Sequence, residues 1–207
     1  MEILLKYFQN LTNEQKQMFK DLLPLYEEWN SKVNIISRKD IDEFYLHHVL
    51  HSLTLVSRIS FKPDTRVLDL GCGGGFPGIP LAIFYPDVQF TLIDGTAKKI
   101  KVVNDVIDRL QIKNATAKQV RAEEHKGKYH FIVTRAVSRL PELLSWTGHL
   151  FEKNQINAIP NGLIAYKGGD LREELKSVPR GFYYEKWDIY ADFPEPYFKE
   201  KCMVYVQ

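Results

Sequence analysis

The stretch Val67-Leu68-Asp69-Leu70-Gly71-Cys72-Gly73-Gly74-Gly75-Phe76-Pro77-Gly78 decides how the chain is read. An apolar run carrying one acid turns into a glycine-rich loop. Pro77 follows where a helix would begin, a position that suits its fixed φ and missing N–H. Glycines at such a turn let backbone approach a ligand closely, because a Cβ would occupy the ligand's volume. Dinucleotide-binding loops read G-x-G-x-x-G, whereas this one reads D-x-G-x-G-x-G with the acid ahead of the first glycine. The competing reading is a tight strand-to-helix turn with no ligand.

Outward from the loop, short apolar runs alternate with amphipathic segments, the pattern of a parallel sheet covered by helices. The runs are Arg66–Leu70, Val88–Asp94, Ala115–Val120, Phe131–Ala136 and Leu163–Lys167, and helices are expected to begin near Pro77, Ala97, Arg139 and Asp170. The Ala97 helix is the clearest, with Ile100, Val103, Ile107 and Leu110 on one face. Phe182–Tyr190 and Cys202–Val206 have no helix between them, so they are expected to end the sheet as an antiparallel pair. Residues 1–60 read as a helical extension before a domain spanning 61–207. Thr12 with Gln15 fits a capping box, Pro24 is expected to kink or divide the helix that follows, and Asp40 with Glu43 marks a second helix start.

Asp94 ends the second strand about 20 residues beyond the loop, the place for an acid that accepts hydrogen bonds from ribose hydroxyls; the alternative is an N-cap for the Ala97 helix. Asp69 either contacts the ligand or organises the loop. The composition bounds the classes that remain. The 207 residues are 44% hydrophobic and 26% charged with a formal net charge of +2, so nucleic-acid affinity requires a local basic face. No apolar run approaches the roughly 20 residues of a membrane span, and the N-terminal apolar stretch is broken by Lys6, Gln9 and Asn10, unlike a secretory signal. A cytoplasmic protein is expected. The two cysteines, Cys72 and Cys202, lack any spacing that would hold zinc, so neither a disulfide framework nor a metal site is indicated.

The chain resembles the RsmG (GidB) family of ribosomal RNA small-subunit methyltransferases, whose members make 7-methylguanosine in 16S rRNA. The resemblance rests on Trp29-Asn30-Ser31-Lys32-Val33-Asn34, on His48-Val49-Leu50-His51-Ser52-Leu53, and on the loop with its continuation Phe76-Pro77-Gly78-Ile79-Pro80-Leu81-Ala82. Further along it includes Lys98-Lys99, Arg121-Ala122-Glu123, Arg135-Ala136 and Tyr166-Lys167-Gly168. It implies a class I methyltransferase fold, Rossmann-like with helices on both faces of the sheet, and S-adenosyl-L-methionine as cofactor. The cofactor contacts it implies fall on Gly71 and Phe76, on Ala122 and Glu123 at the adenine edge, and on Arg135, which also has a positioning role. With the loop reading they give the set Asp69, Gly71, Gly73, Gly75, Phe76, Asp94, Ala122, Glu123 and Arg135. The implied partner is 16S rRNA or the small subunit, and the protein is expected to act as a monomer. Two departures from the family stand out: His51 replaces an acid, and the polar stretch Asn154–Asn161 precedes the fifth strand.

Lys98, Lys99, Lys101, Arg121, Arg139 and Lys167 sit at element ends on the predicted ligand edge, where they would form a rim for RNA phosphates. N7 of guanine presents an in-plane lone pair, so no general base is required, and His48 reads as a packed or capping residue. There is neither an N/D-P-P-Y/F motif nor a Pro-Cys nucleophile. Three rivals remain. A small-molecule or protein methyltransferase would close a compact apolar pocket instead of bordering a basic groove. A nicotinamide-dependent oxidoreductase separates on cofactor titration, and a non-enzymatic RNA-binding protein on methyl incorporation.

Overall fold

The computed structural model describes residues 1–207, apart from the side chains of Arg38 and Lys39. The loop joins β1 (Arg66–Leu70) to α5 (Gly78–Phe84), and the remaining strands are β2 (Gln89–Asp94), β3 (Ala115–Gln119), β4 (Phe131–Arg135), β5 (Gly162–Gly168), β6 (Tyr184–Asp188) and β7 (Lys201–Val206). They form one seven-stranded sheet in the order β3-β2-β1-β4-β5-β7-β6. The first five are parallel, and β7 runs antiparallel to both β5 and β6. The expected α/β class and the antiparallel ending are therefore both present. Helices α6 (Ala97–Arg109), α7 (Leu140–Thr147) and α8 (Arg172–Lys176) supply the crossovers at the expected places. The strand order reverses between β1 and β4, and in open α/β sheets ligands bind outside the carboxyl ends of strands at that point.

Ahead of the sheet lie α1 (Glu2–Tyr7), α2 (Asn13–Asn30) and α3 (Arg38–Asp42), then a π-helical turn Tyr45–Leu50 that runs into α4 (His51–Leu53). The capping box at Thr12 and Gln15 forms as expected. Pro24 does not divide α2, which is continuous through it. A proline at this position withholds its N–H from the carbonyl of Lys20, and the Tyr45 hydroxyl donates there instead, at 3.4 Å, as well as to Phe19 O at 3.0 Å. The second helix start is capped by Ser37, whose Oγ accepts from Asp40 N at 3.2 Å, so Asp40 lies inside the helix rather than at its cap. Phe19, Leu22 and Tyr26 of α2 pack in one apolar cluster with Val67, Phe90 and Leu92 of the sheet. Among the described residues no helix is long and apolar enough to cross a membrane.

The helical extension holds the loop in place. Tyr26 is fully buried, and its hydroxyl donates to Gly74 O. The Trp29-Asn30 pair fastens the chain on either side. Trp29 Nε1 donates to Asp105 of α6 at 2.7 Å, while the Asn30 amide accepts from the N–H groups of Ile35 and Ile36 and donates to Ile36 O. Ile35 then packs where a Cβ on Gly74 would lie, 2.5 Å from its Cγ2.

Candidate active site

Two concavities open at the carboxyl ends of the parallel strands, on either side of Ala136. The first, of about 320 Å³, is a groove lined by Leu70 and Gly71 of the loop, Asp94 and Gly95 after β2, Val120 to Glu123 after β3, and Ala136, Val137 and Trp146. Asp94 anchors it. Its Oδ1 accepts from Thr96 N at 2.8 Å, its Oδ2 accepts from Gly73 N at 3.1 Å, and Lys99 Nζ stands 3.5 Å away. A carboxylate offers about four acceptor sites, so lone pairs remain for a ligand. The residue that caps α6 is Thr96, without a side-chain cap bond, so the N-cap reading of Asp94 does not hold. Apolar walls from Ile93, Val120, Val137 and Trp146 beside a carboxylate suit a flat heterocycle attached to a sugar, which is the shape of a nucleoside.

The loop residues divide by what surrounds them. Asp69 is fully buried, its Oδ2 accepts from Gly78 N at 2.7 Å, and burial raises its carboxyl to about 7. It does not line the groove, and its bond to Gly78 N holds the far side of the loop. Gly75 is required by packing, since a Cβ there would lie 2.7 Å from Ile79 Cγ1. A Cβ at Gly71 would lie 2.4 Å from Val137 Cγ2. Gly73 differs: φ is +57° and, among the described residues, no atom lies within 4 Å of the added Cβ, so the space beside it is open. Asparagine tolerates left-handed backbone. Gly73→Asn is therefore expected to keep its melting temperature within a few degrees while cofactor affinity falls at least tenfold. Calorimetry with S-adenosylhomocysteine checks this, and unchanged affinity would move the ligand away from Gly73.

Phe76 and Arg135 lie on the other side. The Phe76 ring is buried among Tyr26 (5.1 Å), His48 (5.0 Å) and Phe44 (5.8 Å) and does not line the groove. Its large apolar surface is better satisfied in the core, and it forms the floor under Arg135, whose guanidinium lies 5.4 Å above the ring. Arg135 donates to His47 O at 3.2 Å and meets His48 Nδ1 at 2.9 Å. It lines the second concavity, a depression of about 340 Å³ shared with Asp40, His47, His51, Tyr166, Tyr197 and Lys201. Arg135 is thus placed beside the groove rather than in it. The residue joining the two spaces, Ala136, has φ +56°, strained for a non-glycine residue.

A family model described as rRNA small subunit methyltransferase G, GidB, matches residues 15–188. The chain belongs to this family. Ribosomal RNA small subunit methyltransferase G of Phocaeicola vulgatus is 49% identical over 206 residues, covering 100% of this chain and 98% of its own. The Flavobacterium johnsoniae protein of the same name is 48% identical over 206 residues, covering 100% and 97%. Among solved structures, a SAM dependent methyltransferase from Aquifex aeolicus superimposes with a TM-score of 0.58 at 14% identity, over 83% of this chain and 98% of that one. An rRNA methylase from Streptococcus thermophilus does so with a TM-score of 0.52 at 11% identity, over 76% and 93%. These structural likenesses bear on the fold alone.

Within this family member the expected basic rim is only partly assembled. Lys99 and Arg121 line the groove, and Lys98, Lys101 and Arg139 are exposed but do not line it. Lys167 departs furthest from expectation. Its Nζ is held 2.6 Å from Glu174 and donates to Ser138 O, and its side chain is only 14% exposed, so its charge is neutralised internally. Ala122 and Glu123 both line the groove. Sequence reasoning missed Val137 and Trp146, which wall the groove, and Tyr197 and Lys201, which line the depression. Trp146 reads in sequence as one more apolar helix position, and nothing near Tyr197 signals a site.

Proposed function

We propose that the chain transfers a methyl group from S-adenosyl-L-methionine to N7 of a guanine in the 16S rRNA of the small ribosomal subunit. The observation that carries this reading is the pair of concavities meeting at Ala136: a nucleoside-shaped groove anchored by Asp94, and a polar, cationic depression on the far side. Bound in the groove, the cofactor would supply a methyl group on a sulfonium, which the N7 lone pair would take as the carbon–sulfur bond breaks and S-adenosylhomocysteine leaves. Asp94 takes the ribose hydroxyls, Ala122 and Glu123 border the adenine edge, and Gly73 leaves room for the ligand. Residues 61–207 hold this machinery while residues 1–60 brace the loop through Tyr26, and the protein acts in the cytoplasm as a monomer.

N7 methylation makes no demand for a general base, and His48 and His51 are consistent with that. Burial lowers His48 to about 3 and holds His51 well below the usual imidazole range, so neither exchanges a proton near neutrality. What the chain contributes is alignment of donor with acceptor and a site for a product base that becomes positively charged. The depression is lined by charged and hydrogen-bonding side chains rather than by a closed apolar wall, which favours RNA over a small apolar acceptor. Mapping N7-methylguanosine in 16S rRNA from cells with and without the gene tests the reading. The modification is expected at one guanine and to vanish with the gene; an unchanged map overturns it.

A further inference from the structure

The depression beyond Ala136 holds charge that the chain itself does not neutralise. Arg135 is pinned by His47 O and His48 Nδ1, and Lys201 Nζ lies 4.2 Å from the centre of the Tyr197 ring. Neither makes an ion pair among the described residues. Among the described residues Asp40 is the single acid lining the depression; it accepts from Ser37 Oγ at 2.6 Å and sits 3.0 Å from His47 Nδ1, with its side chain 44% exposed. Lys167, in the same wall, shows the usual solution, a carboxylate partner at 2.6 Å. Burying a cation without a partner is costly, and burial together with the Arg135 charge lowers the Lys201 ammonium. Tyr197 completes the wall. Its ring stacks on His47 with centroids 3.9 Å apart, and its hydroxyl stands 3.5 Å from His51 Nδ1.

We propose that Arg135 and Lys201, with the Tyr197 hydroxyl, form a phosphate subsite that receives the backbone of the nucleotide being methylated. The inference rests on the RNA reading above and deepens it. Methylation moves the positive charge from the sulfonium, which leaves as a neutral thioether, onto the guanine, so that charge would come to lie beside two unpaired cations unless an anion arrives with the base. RNA delivers one negative charge per nucleotide. The methionine carboxylate of the cofactor is the rival anion for these two cations, and the S-adenosylhomocysteine measurement below separates the two. Guanidinium and ammonium donors set beside a hydroxyl match the several acceptor oxygens of a phosphodiester. The role is positioning: the phosphate is clamped so that N7 faces the groove across Ala136.

The test compares Lys201→Gln and Lys201→Arg with the unaltered chain in three measurements. Unmethylated small subunits report methylation and its salt dependence, S-adenosylhomocysteine reports the groove, and inorganic phosphate is titrated while the ring signals of His47 and His51 are followed by NMR. In Lys201→Gln, subunit affinity should fall about tenfold and the slope of log affinity against log salt by about 0.7 to 1, as loss of one phosphate contact requires. Phosphate should no longer move the histidine signals, cofactor affinity should stay within threefold, and Lys201→Arg should restore all three. A parallel loss of S-adenosylhomocysteine affinity would assign the cations to the cofactor carboxylate and overturn the proposal. So would an unchanged salt slope with unchanged phosphate response, which would leave Lys201 merely packing on Tyr197. If phosphate binds as described but no RNA is methylated by the unaltered chain, the subsite stands and the substrate reading falls.

Discussion

Asp94→Asn is expected to lower affinity for S-adenosylhomocysteine by about 100-fold or more, the larger of the two binding effects anticipated in the groove. The carboxylate already accepts two backbone N–H groups, from Gly73 and Thr96, and is only 8% exposed. Its remaining lone pairs face a groove in which no other acid except Glu123 takes part. A hydrogen bond to a charged acceptor contributes about 1.5–3 kcal/mol, so losing one or two ribose hydroxyls from it costs on the order of 3 kcal/mol, about 100-fold. Asparagine also replaces one acceptor by a donor. Whichever way its amide turns, an N–H faces Gly73 N or Thr96 N, and the unfolding free energy should drop by about 1–3 kcal/mol. Titration calorimetry and a melt on the same samples separate the two effects. Affinity within threefold of the unaltered chain, with a lowered melting temperature, would leave Asp94 as a turn-former and place the ribose elsewhere.

The parts of this molecule legible in sequence are those where neighbours in the chain are also neighbours in space. The run Arg66–Leu70 is bounded by a charge and a glycine and was bound to read as a strand with the limits it has. The Thr12–Gln15 box is three residues wide and caps α2 as its spacing requires. The aromatic run Phe182–Tyr190 reads as one long strand because strand preference counts aromatics. The strand itself spans Tyr184–Asp188, with Tyr183 exchanging backbone hydrogen bonds with Gln207 and Ile189 N donating to Lys201 O at its ends, and the side chains of Phe182, Tyr183 and Tyr190 are exposed. Lys167 looked like a free cation because the carboxylate that neutralises it belongs to a helix in the following crossover, an approach that no motif announces. The same holds for the depression. His47 and Tyr197 stack although 150 residues separate them, and Arg135 and Lys201 come together only because β4 and β7 flank β5 in the sheet. Phe76 misled for the opposite reason: its place in the glycine loop suggested a ligand contact, while the aromatic cluster of α2 and the π-helical turn drew its ring into the core.

Arg135→Ala should lower single-turnover methylation of small subunits by at least 100-fold while S-adenosylhomocysteine affinity stays within threefold. The second half of that statement follows from position, since the guanidinium lies over Phe76 and beside His48, outside the groove. The first follows from rigidity. Two of its donors are spent on His47 O and His48 Nδ1, which fixes the plane of the group beside Ala136, where the proposed reading has donor and acceptor meet, and a displacement of about 1 Å there costs about 100-fold. Lys99→Ala should do the reverse, weakening RNA binding modestly with a smaller effect on turnover, because its ammonium is exposed at the groove rim and paired only with Asp94 at 3.5 Å. His48 enters through Arg135. Its Nδ1 must be an unprotonated acceptor, which fits an imidazole that burial lowers to about 3. His48→Ala should therefore cost turnover as the guanidinium loses its anchor, and His48→Asn, whose carbonyl oxygen takes the place of Nδ1, should recover most of it. The rate itself should show no ionisation of His48 or His51 between about pH 6 and pH 8, because both are neutral throughout that range. Stability should respond instead. A folded-state value below the unfolded 6.5 means that the unfolded chain takes up the proton first, so the contribution of neutral His48 is present above 6.5 and is lost as pH falls from 6.5 toward 3. Rates that rise with an apparent pKa near 6.5 and disappear in His48→Asn would make His48 a proton acceptor, and the attack at N7 without a base would have to be abandoned.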